Sequence, residues 1–108
     1  MKKYQEAFGV NYDLGICIPE SFIDESYKND TGPCFVYQVG TGILKIWILP
    51  ELPSERDIEG GLRYTLIKMK AEPGDDYQEF VDVLFECESP AEFEKVISNH
   101  EQLIKWLS

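Results

Sequence analysis

Residues 34–49 have the sequence CFVYQV-GTG-ILKIWIL, in which two runs of mostly β-branched and aromatic residues flank a short loop. Glycines bracket the loop Gly40-Thr41-Gly42, as is common where antiparallel strands reverse. Pro50 and Pro53 follow the second run and end it, because proline cannot donate to a strand ladder. The segment therefore predicts a hairpin with strands over 34–39 and 43–49.

Further strands are expected on both sides of this hairpin. Residues 14–18 form a short apolar run that stops at Pro19, and residues 62–69 alternate imperfectly between two faces. Residues 21–27 are compatible with one helical turn, but a segment this short decides nothing. Pro73-Gly74-Asp75-Asp76 is a turn signal that separates 62–69 from the segment after it.

Residues 77–87 fit two structures. Apolar residues recur at helical spacing from Tyr77 to Phe85, and they also alternate from Val81 to Cys87. We favour a strand over 78–87, because a helix start follows immediately at Ser89. Two helices abutting at Ser89 would also leave the preceding hairpin as too small a sheet for them to cover.

A C-terminal helix has the clearest local signal. Ser89-Pro90-Ala91-Glu92 has the capping-box pattern, with Ser as N-cap, Pro at the first helical position and Glu at the third. The pattern predicts one helix over 90–107, although Ser98 and Glu101 leave open a break near Asn99. The residues that share its apolar face are Phe93, Val96, Ile97, His100, Leu103, Ile104 and Leu107.

The expected fold class follows from this order of elements. Residues 1–108 are expected to form a single α+β domain, with an antiparallel sheet of four or five strands, mainly a meander. The C-terminal helix packs on one face of that sheet. Within the helix, His100 is expected to be a packed histidine of the core or its edge.

Composition excludes several classes of function. The 108 residues include 20 acidic and 10 basic side chains, for a net charge of −10. Such a field repels phosphate backbones and anionic membranes, so we expect neither direct nucleic-acid binding nor membrane contact.

The N-terminus lacks the apolar core of a signal peptide, which favours a cytoplasmic location. The three widely spaced cysteines, Cys17, Cys34 and Cys87, are then expected to be reduced and buried.

Few residues of the sequence are suited to catalysis or metal binding. A single histidine, His100, limits general acid–base catalysis near neutral pH. The sequence contains no nucleophile elbow, no glycine-rich phosphate loop leading into a helix and no zinc-protease motif. We therefore expect no catalytic residue, no metal site and no cofactor, and a protein that is not an enzyme.

The acidic residues are concentrated in one segment. Residues 71–94 contain nine Asp and Glu and no Lys or Arg, so they carry −9 of the net −10. If 78–87 is a strand, Asp82, Glu86 and Glu88 share one face. One interpretation of this concentration of acids is a docking surface for a basic partner. The alternative is a solvated face that only keeps the chain soluble. The candidate partner-binding residues are Glu72, Asp75, Asp76, Glu79, Asp82, Glu86 and Glu88.

The function that this pattern favours is a non-catalytic, acidic protein-binding domain. We expect an inhibitor or immunity-type protein that occludes a basic, nucleic-acid-handling partner, or a phage-type mimic of nucleic-acid charge. An unpaired sheet edge would also permit a homodimer.

Two polar loops, at residues 24–33 and 55–64, support a different hypothesis. Both arginines, Arg56 and Arg63, lie in or beside the loop of residues 55–64. We expect Arg63 to fix the loops by pairing with Asp30 or Asp57. The alternative is a small-molecule-binding or enzymatic domain, with a polar pocket at Asn29, Asp30, Arg56 and Arg63.

The same loops carry a resemblance. Residues 26–35 (SYKNDTGPCF) and 55–64 (ERDIEGGLRY) resemble a pattern in small bacterial proteins of unknown function. In that pattern, aromatic-x-Asn-Asp-x-x-Pro-x-Phe precedes a hydrophobic strand, and an Arg-Glu-rich loop closes on Gly-Gly-x-Arg-aromatic. The resemblance spans residues 26–66 and departs from the pattern at Arg56-Asp57, where Arg-Glu is expected. It implies a shared small α+β domain and no defined activity.

Overall fold

The structure is a computed structural model that describes residues 2–56, 60–72 and 74–108. Its strands form one antiparallel sheet of five strands in sequence order, which confirms the expected α+β meander. The strands are β1 (Ile23–Asp24), β2 (Cys34–Val39), β3 (Gly42–Ile48), β4 (Tyr64–Lys70) and β5 (Glu79–Cys87). The helices are α1 (Lys3–Phe8), α2 (Pro90–Ile97) and α3 (His100–Leu107), with one 3-10 turn at Pro53–Glu55.

The predicted hairpin is present with a tighter loop. Gly42 already belongs to β3 and pairs with Val39, so the loop is Gly40 and Thr41 alone. Gly40 has a φ of 61°, the left-handed conformation that two-residue hairpin loops require. A side chain at Gly42 would collide with the carbonyl of Leu107, where the end of α3 crosses the strand. Gly42 therefore lets α3 lie close against the sheet.

The strand prediction for residues 14–18 is wrong. Gly15 has a φ of 75°, which turns the chain, and side chains satisfy the local backbone donors. The Asp13 carboxylate accepts from the Gly15 N–H (2.8 Å), and the Glu94 carboxylate accepts from the Cys17 N–H (2.9 Å). These two bonds take the place of strand pairing for the N–H groups of Gly15 and Cys17. The first strand is instead β1, inside the segment 21–27 that was compatible with a helical turn.

The strand interpretation of residues 78–87 is confirmed. β5 pairs with β4 from Cys87 opposite Tyr64 to Glu79 opposite Lys70. Two β-bulges interrupt the register, one between Leu66 and Ile67 and one between Lys68 and Met69. Each inserts one extra residue into β5, Leu84 and Val81 respectively, which changes the alternation of its side chains.

The single helix expected over 90–107 is two helices. Ser89 caps α2 by accepting from the Glu92 N–H (3.3 Å), and Asn99 caps α3 by accepting from the Gln102 N–H (3.2 Å). Asn side chains compete for backbone donors and favour such caps over helix interiors, which explains the break. His100 becomes the first residue of α3 and is exposed, so the prediction of a packed histidine in the core or at its edge is wrong.

The main core lies between the sheet and the C-terminal helices. Phe93, which has no exposed surface, stacks on Tyr64 with ring centroids 5.1 Å apart and on Phe85 at 6.2 Å. The Tyr64 hydroxyl donates to the Leu14 carbonyl (2.6 Å), so the irregular segment is fixed to the same core. Other buried residues of this cluster are Phe22, Phe35, Leu44, Ile46, Ile48, Leu66, Cys87, Ile97, Leu103 and Leu107.

Truncation of Phe93 tests this packing. We expect Phe93→Ala to lower the free energy of unfolding by about 3–5 kcal/mol, because it removes a fully buried ring and leaves a cavity. Tyr77→Ala is the matched control, since Tyr77 is 74% exposed, and should change stability by about 0.5 kcal/mol or less. Urea denaturation of both variants measures the difference. Equal losses in the two variants would contradict the assigned core.

Candidate partner-binding surface

The second face of the sheet is open. Among the described residues, all buried members of the cluster on this face come from β2, β3 or the residue after β4, and none comes from a helix. They are Cys34, Val36, Ile43 and Ala71, and Trp47 and Met69 pack against them.

One row of directly paired residues crosses the whole open face. Ile23, Val36, Lys45, Ile67 and Val83 lie opposite one another from β1 to β5. Directly paired residues project on the same side of an antiparallel sheet. A second row ends in Met69 and Phe80, and a third ends in Trp47, Thr65 and Glu86. We call this surface the open face.

Large apolar side chains on the open face are exposed to solvent. The exposed fraction is 67% for Ile23, 55% for Phe80 and 42% for Val83. Single exposed apolar residues are normal, but residues grouped on one face are typical of interaction sites. Lys45 is half-buried at the centre of the row, where its aliphatic stem adds apolar area and its ammonium adds one positive charge.

A cavity opens at one end of the open face. It has a volume of about 350 Å³ and is lined by Asn29, Asp30, Thr31, Trp47, Leu49 and Thr65. Trp47 and Thr65 are cross-strand partners, so the sheet forms one wall and the loop before β2 forms the other. Asn29 and Asp30 were predicted site residues, and the structure places both beside the tryptophan.

The acidic segment contains exposed carboxylates, of which Asp75 also accepts from the nearby Tyr77 N–H (3.1 Å), and carboxylates bound to distant parts of the chain. Glu72, Asp75, Asp76 and Glu79 are all exposed and lie in, or at the end of, the connection between β4 and β5. We call these four residues the acidic turn. Phe80 and the 74% exposed Tyr77 belong to the same stretch, so the acidic turn borders the open face.

The expectation that Asp82, Glu86 and Glu88 share one face is wrong. Asp82 pairs with Lys68 on the helix side of the sheet, whereas Glu86 pairs with Thr65 on the open face. The bulge at Leu84 lies between them and reverses the alternation that the simple strand pattern assumed. Glu88 follows the strand, and its carboxylate is bound inside the molecule.

Arg56 and Glu88 form a bidentate ion pair. Arg56 Nη2 lies 2.7 Å from Glu88 Oε2, and Nη1 lies 2.8 Å from Oε1. The same guanidinium donates to the carbonyls of Pro50, Glu51 and Gly61 at 2.6–3.0 Å. The Arg56 side chain is only 3% exposed and that of Glu88 is 51% exposed. Both residues therefore hold the loop after β3 to the end of β5, and neither is free for a ligand.

This pairing shifts both titrations. The hydrogen bonds from Arg56 lower the pKa of Glu88 below its ordinary value, although partial burial opposes the shift. The hydrogen bonds to Glu88 correspondingly raise the pKa of Arg56. Glu88 is consequently ionised throughout the neutral range.

Arg63 is buried and has a different partner from those expected. Its Nη2 donates to the Asp13 carbonyl (3.0 Å), and its guanidinium carbon lies 5.1 Å from the centroid of the Tyr64 ring. The expected pairing with Asp30 is wrong, and Asp57 lies outside the described residues. Within the described part of the chain, neither arginine lines the cavity beside Asn29 and Asp30. The predicted four-residue pocket is thus divided between two places.

The remaining reactive groups are dispersed. Cys34 and Cys87 are buried as expected, but Cys17 is exposed, because the segment around it is not a strand. Burial raises the pKa of Cys34 to about 12, so its thiol stays protonated at neutral pH. Over residues 2–56, 60–72 and 74–108, no group of three His, Cys, Asp or Glu side chains is placed to hold a metal ion.

Sequence reasoning missed two parts of this surface. The cavity beside Trp47 depends on the loop before β2, which local patterns do not position. Val83 and Phe80 share the open face only because of the bulge at Val81, which leaves no signal in the spacing. The Arg56–Glu88 pair joins residues 32 positions apart, and many acids compete for so few arginines.

No protein family model, curated protein or solved structure matches the chain. The resemblance of residues 26–66 to small bacterial proteins therefore stays a prediction. Among the described helices, none is long and apolar enough to cross a membrane.

Neutralising Glu88 tests the ion pair through its pH dependence. A lowered folded-state pKa contributes stability above the ordinary pKa of 4.5, and that stability is lost as the pH falls through the lowered value. We expect Glu88→Gln to lower the free energy of unfolding by about 1–2 kcal/mol near neutral pH, because the exposed carboxylate is partly screened. The difference from wild type should shrink in acid, as followed by urea denaturation at several pH values.

Glu86→Gln is the matched control. Glu86 is an exposed acid two positions earlier, and no hydrogen bond of its carboxylate is present among the described residues. Its substitution should change stability by about 0.5 kcal/mol or less over the whole range. A Glu88→Gln effect that is equal at about pH 7 and about pH 3 would contradict the assigned linkage.

Proposed function

We propose that this protein is a non-catalytic protein-binding domain that docks a basic partner on its open face and acidic turn. The observation that carries the proposal is the exposed apolar row of the open face, which the acidic turn borders. In this proposal the domain acts as an inhibitor or immunity-type protein, by covering a functional surface of its partner.

Apolar burial supports the affinity of such a complex. Ile23, Phe80 and Val83 are exposed now, and a partner that covered them would remove their apolar area from water. Fully burying one large apolar side chain is worth about 1.5–3 kcal/mol. A rigid sheet also costs little conformational entropy on binding, because its backbone is already ordered.

Charge supports the choice of partner. The acidic turn carries four carboxylates, and Asp82 and Glu86 extend the negative potential along β5. Such a field speeds encounter with a basic surface and disfavours acidic competitors. The proposal uses fewer acids than the sequence suggested, because Glu88 is bound to Arg56 and Glu94 accepts the Cys17 N–H.

Affinity capture with two variants tests the proposal. The wild-type chain, immobilised in the lysate of the cells that make it, should retain a stoichiometric basic protein whose binding weakens steeply with salt. Phe80→Ser combined with Val83→Ser should weaken binding to the purified partner by about tenfold or more, because less apolar area is buried. Glu72→Lys, Asp76→Lys and Glu79→Lys together should slow association at low salt.

The matched controls remove side chains of similar exposure, or make the same change in net charge, outside the proposed binding surface. Val10→Ser with Leu52→Ser removes side chains that are 57% and 56% exposed outside the open face. Glu6→Lys, Glu20→Lys and Glu51→Lys together make the same change in net charge at exposed sites elsewhere. Both controls should bind as wild type does. Equal weakening by controls and test variants, or a partner that is not basic, would overturn the proposal.

The Trp47 cavity supports a second candidate function, the binding of a small molecule. Its volume of about 350 Å³ lies at the lower end of the range for ligand pockets, and it combines an aromatic wall with the polar groups of Asn29 and Asp30. Native mass spectrometry of the purified chain tests this candidate directly. A bound metabolite that Trp47→Ala releases would support it, and an unliganded mass for both proteins would count against it.

A further inference from the structure

We infer that the partner adds an extended strand to the free edge of β5, with apolar and cationic side chains at alternate positions. This inference rests on the proposed function and specifies how the partner is bound. It concerns backbone pairing at the edge, which contact with the open face alone does not require.

The two edges of the sheet differ in length. β1 forms one edge with two residues, and β5 forms the other with nine. No described strand lies beyond β5, so one side of it presents unpaired N–H and C=O groups. A long free edge is a template for pairing with another chain.

The first half of β5 is the accessible part. Phe80, Val81 and Val83 are 55%, 47% and 42% exposed, whereas Leu84 and Phe85 are half-buried against the core under α2. An added strand therefore pairs with Glu79–Val83. This stretch is about five residues or roughly 17 Å long, and it includes the extra residue Val81 of the bulge.

The side chains on this half of β5 define the partner strand. Phe80 and Val83 project onto the open face, where they pair with Met69 and Ile67. Glu79 and Asp82 project to the other side, opposite Lys70 and Lys68. A strand that alternates apolar residues with Lys or Arg would place each kind beside its complement.

The same charges disfavour a second copy of this chain. Glu79, Asp82 and Glu86 are all exposed on β5, so two such strands side by side would bring six carboxylates to one edge. Like charges on neighbouring strands are destabilising, and charged residues and bulges are recognised protections of edges. β5 has both the charged residues and the bulges. A cationic strand removes the charge repulsion, because its Lys or Arg side chains pair with these carboxylates.

Defined peptides test the inference without a known partner. The probe is an acetylated, amidated peptide of about seven residues that alternates Lys and Val. Its comparison peptide has the same residues with backbone N-methyl groups on alternate residues, which removes edge hydrogen bonds and keeps every charge. A third peptide replaces Lys with Glu.

The wild-type chain should bind the Lys–Val peptide, and N-methylation should weaken binding by about tenfold or more through lost backbone hydrogen bonds. The Glu–Val peptide should not bind detectably. In the Lys–Val complex, the β5 amides that do not bond to β4 should gain protection from hydrogen exchange, and the β1 amides should not.

The outcomes separate this inference from the proposed function. Equal affinity for both Lys–Val peptides overturns strand addition and leaves docking by charge and apolar contact in place. No binding of the Lys–Val peptide at millimolar concentration overturns strand addition as well. If a basic partner fails to distinguish the open-face variants from their controls, the proposed function itself is wrong. A salt-promoted dimer that protects the β5 amides would assign the edge to a second copy of the chain.

Discussion

Phe93 stacks on Tyr64 and Phe85, and this contact determines which face of the sheet is buried. It anchors α2 on one side, and α3 continues on that side because Gly42 lets its end approach β3. The ring of Tyr4 in α1 also packs on this side, 6.1 Å from the ring of Phe35. Every described helix therefore covers the same face. A sheet with helices segregated to one face leaves its other face to solvent or to a partner.

The acidic side chains also fall into two groups, those bound within the molecule and those exposed beside the open face. Two acids beyond β5 are used internally: Glu88 binds Arg56, and Glu94 accepts from the backbone N–H of Cys17. Acids in the acidic turn have no such basic partner among the described residues closer than 4 Å. A net charge of −10 thus overstates the binding surface, and the position of each carboxylate matters more than their sum.

The sequence was sufficient for the parts of the fold that depend on local pattern. The hairpin of β2 and β3, the cap at Ser89 and the order of the main strands follow from β-branched runs, turn residues and capping chemistry. The strand prediction for residues 14–18 failed, because Gly15 adopts a left-handed conformation that turns the chain. The carboxylates of Asp13 and Glu94 also accept the N–H groups of Gly15 and Cys17, in place of a neighbouring strand. The candidate site was harder still, since two bulges set the faces of β5 and the contacts of Arg56 span distant loops.

The bulges connect the fold to the proposed binding. Without them, strict alternation would put Phe80 on the same face as Asp82 and on the face opposite Val83. With Val81 as an extra residue, Phe80 and Val83 share the open face, and Asp82 turns to the other side. An apolar stripe and a charged stripe then run along the same free edge, one on each side of the sheet. A partner strand must match both stripes at once, which gives the edge selectivity that exposed apolar residues alone lack.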